Sequence, residues 1–264
     1  MNSGSDKNAD SAAWAGTLAA SFSGSEGKVP LPLERLLDDL SGLVFFIKDR
    51  DGRYLWVNRT LVDRCGLFEK GPLLGKRPSD LFPETLAPFY ERQDERVIRL
   101  GKPLIDQLEL HFYPGRRRGW CLTSKYPVFA PGATQATGLL GVSRDVETSS
   151  RGAKNRGFPE LAKALQLIQQ RIAEPPSLGE LAEASGLSQS QFAQWTERLF
   201  HLTPKQLVMK ARIDEALHLL ATGDLPLSEI ALATGFCDQS AFTRHFHRFT
   251  GMPPGAFRQQ IRGK

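Results

Sequence analysis

Gln189, Ser190, Gln191 and Gln194 set amide and hydroxyl groups along one short stretch of chain. Gln239, Ser240, Thr243 and Arg244 repeat the arrangement 50 residues on, with a guanidinium in the last place. A glutamine amide can pair with an adenine edge through two hydrogen bonds, and a guanidinium with a guanine edge, so both sets have the chemistry to read bases in a major groove. Lys205, Lys210, Arg248 and Arg258 are candidates for phosphate contacts, weighed evenly against ordinary solvated surface charge. From Arg151 onward the chain carries 14 Lys and Arg against 10 Asp and Glu, so most of its net charge of +5 falls in the same half. A polyanion is the partner such an excess favours.

The elements that must position these residues are visible as an internal repeat. Glu180-Leu-Ala-Glu-Ala-Ser-Gly-Leu-Ser188 matches Glu229-Ile-Ala-Leu-Ala-Thr-Gly-Phe-Cys237, and one extra residue then aligns Ser188 with Asp238 and Phe192 with Phe242. Each copy predicts a short helix, a glycine turn at Gly186 or Gly235, a capping residue, and a second helix: a helix-turn-helix. Ala182 and Ala231 are small enough for two helices to cross closely, and Ser177 with Glu180 predicts a capping box on the first copy's opening helix. Thr203-Pro204 opens a long helix to Ala221 that joins the copies; an earlier helix carries Leu161, Leu165, Ile168 and Ile172 and stops at Pro175-Pro176. A helical bundle with polar faces is the plain alternative, and the matched second copy argues against it. His245 and His247 lie two apart on a helix and face different ways, so no metal site is expected there.

Residues 158–262 resemble the DNA-binding domain of the AraC/XylS family. The most specific part is Leu227-Ser-Glu-Ile-Ala-Leu-Ala-Thr-Gly-Phe236, followed by Asp238-Gln-Ser-Ala-Phe-Thr-Arg-His-Phe246, Phe249-Thr-Gly-Met-Pro-Pro254 and Phe257-Arg258. The resemblance implies that both recognition helices enter successive major grooves on one face of double-stranded promoter DNA, ~34 Å apart. It also implies recruitment of RNA polymerase, and so activation. The first copy departs from the family pattern: Gln194, Thr196 and His201 stand where Arg, Phe and Gly are usual, while Arg244, Phe246 and Gly251 keep it. An unusual first half-site is the expectation.

The N-terminal half reads differently. Gly42–Lys48 and Arg53–Val57 predict two strands around an Asp49-Arg-Asp-Gly52 turn, Glu84–Leu100 a helix, and Leu104–Tyr113, Gly119–Phe129 and Thr137–Val146 three more strands. The β-β-α-β-β-β order predicts an α+β domain with an antiparallel sheet, and the all-α half makes the chain multidomain. Residues 32–146 resemble a PAS domain, on the run Leu43-Val-Phe-Phe-Ile-Lys-Asp-Arg-Asp-Gly-Arg-Tyr-Leu-Trp-Val-Asn58, Leu74-Gly-Lys76, Asp80-Leu-Phe-Pro83 and Gly141-Val-Ser-Arg-Asp145. The resemblance implies a five-stranded sheet that takes a small-molecule ligand between sheet and helices, and a homodimer through this domain. Phe45, Trp56, Cys65, Phe112 and Trp120 are the pocket candidates, with plain core packing as the alternative. Cys65 is either a small buried residue or a redox thiol, and His111 either a strand residue or a haem ligand; no cofactor is named by the sequence. The expected organisation is a disordered tail over 1–29, a PAS-like sensor over 30–148, a linker over 149–157 and the DNA-binding domain over 158–264.

Other classes find little support. Three scattered cysteines make no C-x-x-C pair, and no nucleotide loop, serine-hydrolase elbow or H-E-x-x-H motif occurs, so an enzyme is not expected. The polar start and the lack of ~20 consecutive apolar residues predict a cytoplasmic protein with no membrane contact. The expectation is a DNA-binding transcription regulator whose sensor half biases dimer geometry or linker freedom. In the alternative, the sensor half acts by pairing with another protein and takes no small ligand.

Overall fold

The computed structural model describes residues 33–112, 118–148 and 159–262. The expected tail and linker lie outside the described residues. The chain divides into two compact units, Met1–Asp145 and Val146–Lys264.

The first unit opens with helix α1 (Leu33–Asp39) and the hairpin β1 (Leu43–Asp49) and β2 (Tyr54–Val57). The Asp49 carboxylate makes the turn, accepting from the backbone N–H of Asp51 and Arg53 at 2.9 and 2.8 Å, with Gly52 at φ +79°. Only glycine enters that left-handed region without strain. Helices α2 (Arg59–Arg64), α3 (Pro78–Leu81) and α4 (Ala87–Leu100) follow, then strands β3 (Leu104–Phe112), β4 (Arg118–Val128) and β5 (Gly138–Asp145). All pairs are antiparallel, in the order β2-β1-β5-β4-β3. Asn58, fully buried, locks the start of this arrangement. Its side-chain oxygen accepts from Phe45 and Leu61, and its amide donates to the carbonyls of Leu37 and Leu43. One side chain thus caps α2 and ties it to β1 and α1, satisfying its own buried polar atoms. Val44, Phe46, Val57, Val62, Leu73, Val97 and Leu139 build the core between the sheet and the helices.

The second unit is helical throughout its described residues: α5 (Pro159–Gln170), α6 (Leu178–Ala184), α7 (Gln189–Phe200), α8 (Pro204–Thr222), α9 (Leu227–Ala233), α10 (Gln239–Thr250) and α11 (Pro254–Arg262). Thr203 caps α8 in a reciprocal box with Gln206, and Leu207, Ile213, Ala216, Leu217 and Leu220 bury one side of this 19-residue helix. At 1.5 Å per residue it spans ~28 Å. The short helices α1, α2 and α3 have no counterpart in the sequence expectation, because runs of four to seven residues leave too few turns for a helical period to register.

Candidate functional sites

The repeat seen in the sequence recurs in the hydrogen bonds. After α6, Leu187 N–H donates to Ala182 O at 2.9 Å; after α9, Phe236 N–H donates to Ala231 O at 2.8 Å. These are the six-to-one bonds of a glycine-terminated helix, made possible by Gly186 at φ +65° and Gly235 at φ +77°. Ser185 and Thr234, the buried residues before each glycine, return their hydroxyls to the carbonyls of Leu181 and Ile230. A methyl group at Gly235 would meet Ile172 O at 2.6 Å, whereas at Gly186 it would meet open space.

Each second helix is capped. Ser188 accepts from Gln191 N–H at 3.3 Å while the Gln191 side chain accepts from Ser188 N–H at 2.9 Å; Asp238 accepts from Ala241 N–H at 2.7 Å. These bonds satisfy donors that a helix start otherwise leaves open. Phe192 and Phe242 are fully buried beneath, and in the second copy Phe242 packs edge-on against Phe246 and at a tilt against Phe236. The first copy has Thr196 in place of Phe246, also fully buried, with its hydroxyl on Ala193 O.

The base-reading candidates end on exposed positions: Gln189, Ser190, Gln191 and Gln194 on α7, and Gln239, Ser240 and Arg244 on α10, with Thr243 half-buried. In α10 all four line one open depression together with His247 and Pro253, a pair the sequence did not single out. In α7 the Gln191 carbonyl is spent on the cap and Ser190 lies 3.1 Å from Ser188, so Gln189 and Gln194 are the least committed. The phosphate candidates divide in two. Lys205 and Arg248 are exposed. Lys210 is instead held by Asp214 at 2.7 Å, one turn along α8, and Arg258 donates to Leu225 O at 2.5 Å, closing α11 over the loop before α9. Arg262 joins it there through Asp224 and the Gly223 carbonyl.

The first unit holds a partly open cavity of about 60 Å³ between the sheet, α2 and Tyr90 of α4. Of the pocket candidates only Cys65 lines it. Phe45, Trp56 and Trp120 do not, because alternate strand residues face opposite sides of a sheet: Phe46 and Lys48 point inward from β1, and Thr123 and Lys125 from β4. Phe45 packs edge-on against Trp56 instead, with the Lys70 ammonium 4.9 Å from the Trp56 ring centre. The side chain of Phe112 lies outside the described residues. Burial pushes the Cys65 thiol up to about 11, which keeps it protonated and slow to react. His111 lines the cavity, with Nε2 3.3 Å from the Glu109 carboxylate. Burial works against charging this imidazole, but Cys121 and Glu109 outweigh it and hold its pKa at about 10.

The charges in the wall were not anticipated. Lys48 and Lys125, 1% and 3% exposed, reach the two oxygens of Asp94 at 2.5 and 2.6 Å. Burial would raise the Asp94 carboxyl, yet the Lys125 and Lys48 ammoniums hold it below its ordinary value of 3.8. Lys48 also lies 4.2 Å from the centre of the Tyr54 ring. Nearby, Arg64 pairs with Asp145 at 2.5 Å. Among the described residues no group of three or more His, Cys, Asp and Glu could hold a metal, and no helix is long and apolar enough to cross a membrane.

A five-stranded antiparallel sheet packed with helices around a cavity, and a helical unit with two capped helix-turn-helix motifs, make two distinct folds in one chain. The comparisons agree with both. Residues 181–260 match the family model of a helix-turn-helix domain, and residues 37–151 that of the PAS fold. The probable transcriptional regulator LumQ of Photobacterium leiognathi is 37% identical over 95 residues, 36% of this chain and 38% of that protein. The HTH-type transcriptional regulator AlkR of Acinetobacter baylyi is 32% identical over 102 residues, 39% of this chain and 33% of its own length. The chain thus spans less than two fifths of these curated relatives. The crystal structure of a transcriptional regulator with an AraC-type DNA-binding domain, from Chromobacterium violaceum, is 24% identical with a TM-score of 0.39, covering 40% of this chain and 96% of that one. The chain thus carries a PAS fold ahead of a helix-turn-helix domain, and in the latter part it is similar to transcriptional regulators.

Proposed function

We propose that this protein is a sequence-specific transcription regulator that reads a bipartite operator with its two helix-turn-helix units and takes its input through the PAS fold. The observation that carries this reading is the pair of capped helices α7 and α10, each with an exposed polar face, in two matched helix-turn-helix units joined by the 19-residue α8. LumQ and AlkR, similar in this part, are described as transcriptional regulators, which supports the same role here. Arg244 reads a guanine and Gln194 an adenine in the two half-sites, while Lys205 and Arg248 meet phosphates. The sensor extends over 30–148 and the DNA-binding domain over 158–264, and the protein activates by engaging RNA polymerase beside its site.

Selection of bound sequences from a random pool, followed by footprinting, tests the reading. Protection of two major grooves about one helical turn apart is expected, with affinity falling steeply as salt rises. A single protected groove, or binding that ignores sequence, would refute it.

A further inference from the structure

Lys48 and Lys125, both in the wall of the cavity, set two buried ammoniums against one carboxylate, that of Asp94 behind it. An ammonium has three N–H donors. Lys48 gives one to Asp94; Lys125 gives one to Asp94 and a long one, at 3.5 Å, to the Tyr90 carbonyl. The Tyr54 ring faces the Lys48 ammonium at 4.2 Å, and both lysines keep N–H groups that no protein oxygen takes. Arg64 and its partner Asp145 cancel, and Glu109 is answered by His111, so the lysine pair is where positive charge exceeds negative. Buried cations of this kind are costly unless an anion meets them. Next to them the Thr123 and Ser143 hydroxyls, 2.9 Å apart, add polar contacts, while Val44, Leu61 and Phe82 supply an apolar wall. The cavity is small, about 60 Å³, which favours a short chain.

We propose that the cavity binds a short-chain carboxylate, its two oxygens held by Lys48 and Lys125 and its carbon end against Phe46, Leu61 and Phe82. The site is amphipathic in the way that ligand demands: paired donors at one end and no polar requirement at the other. A neutral amide would leave the excess charge unmet. This deepens the reading of the PAS fold as the input and rests on it.

Binding is measured by calorimetry on the full chain without DNA, in a carboxylate-free buffer. Acetate, propionate and pyruvate are compared with acetamide and propionamide. The acids are expected to bind and the amides to bind roughly ten- to hundredfold more weakly, the loss that goes with a charge-assisted hydrogen bond. Lys125→Met should weaken the acids to the level of the amides. Equal affinity for acids and amides, or no binding by either, would overturn the proposal. So would acid binding undiminished in a folded Lys125→Met chain. If that variant fails to fold, the acid–amide comparison in the unaltered protein still decides. Footprinting without any carboxylate tests the DNA reading separately, so the two can fail independently.

Discussion

Asp94→Asn removes the carboxylate that touches both Lys48 and Lys125 while keeping the side-chain shape. With those lysines 1% and 3% exposed, water cannot take over the missing charge. Breaking a buried ion pair from one side costs about 3–5 kcal/mol. The asparagine carbonyl still accepts one hydrogen bond, which returns about 1 kcal/mol. A net loss of about 2–4 kcal/mol follows, and at ~4 °C per kcal/mol for a unit of this size the melting temperature falls by roughly 8–16 °C. Because the two units need not melt together, hydrogen exchange read by mass spectrometry should place the loss in residues 33–148. The pH dependence has a definite sign. The Asp94 carboxyl titrates below its unfolded value of 3.8, so it stabilises the fold above that value and the contribution disappears as pH falls through the lower, folded one. The Asn variant should lack that acid-side loss. Short carboxylates should also restore part of its stability, by supplying the missing charge. A drop under ~2 °C with an unchanged acid profile would show that the triad is not a coupled charge network.

Three further outcomes follow from the second unit. Arg244→Ala should relax base selection in one half-site by about 1–3 kcal/mol, and Gln194→Ala should shift one or two base pairs in the other; unchanged selection profiles for both would remove α7 and α10 from the groove. His201→Gly should raise the melting temperature by a few degrees, since His201 holds φ +57° at the end of α7, where α10 has Gly251; relief of left-handed strain of ~1–2 kcal/mol outweighs the added unfolded-state entropy. A lower melting temperature would contradict this. Gly235→Ala and Gly186→Ala should differ although the glycines are equivalent in sequence. The first drives a methyl into the carbonyls of Ile172 and Ala173 and should cost a further 1–3 kcal/mol, roughly, beyond the strain common to both. Equal denaturation midpoints would show that the end of α5 yields freely.

The difference between what could and could not be read from the chain follows from how far each signal travels. The helix-turn-helix units are built from local rules: a cap, a glycine, a helical period. Ser188, Asp238, Gly186 and Gly235 announce themselves within four residues of where they act. The hairpin at Asp49–Gly52 was legible for the same reason. The PAS cavity depends instead on strand parity and on a contact between distant elements. Phe45 stands among the candidates where its neighbour Phe46 lines the cavity, and Trp56 and Trp120 likewise sit at strand positions that face the other side of the sheet. The exchange was natural, since Lys48 and Lys125 look like solvent residues to any reading that sends charge outward. One clue was present. Ala87, Asp94 and Val97 fall on one face of α4, so a carboxylate sits among buried residues on a helix with better places for it. A charge on an apolar face requires a partner, and the cations able to meet it were those in the middle of β1 and β4. Read that way, Asp94 would have pointed across 46 residues to Lys48 and 31 to Lys125. Such a pairing persists only if burying three charges gives something that a Met or Leu core would not. A cavity that selects for charge is what these residues provide, and specificity of that kind is the return a sensor needs.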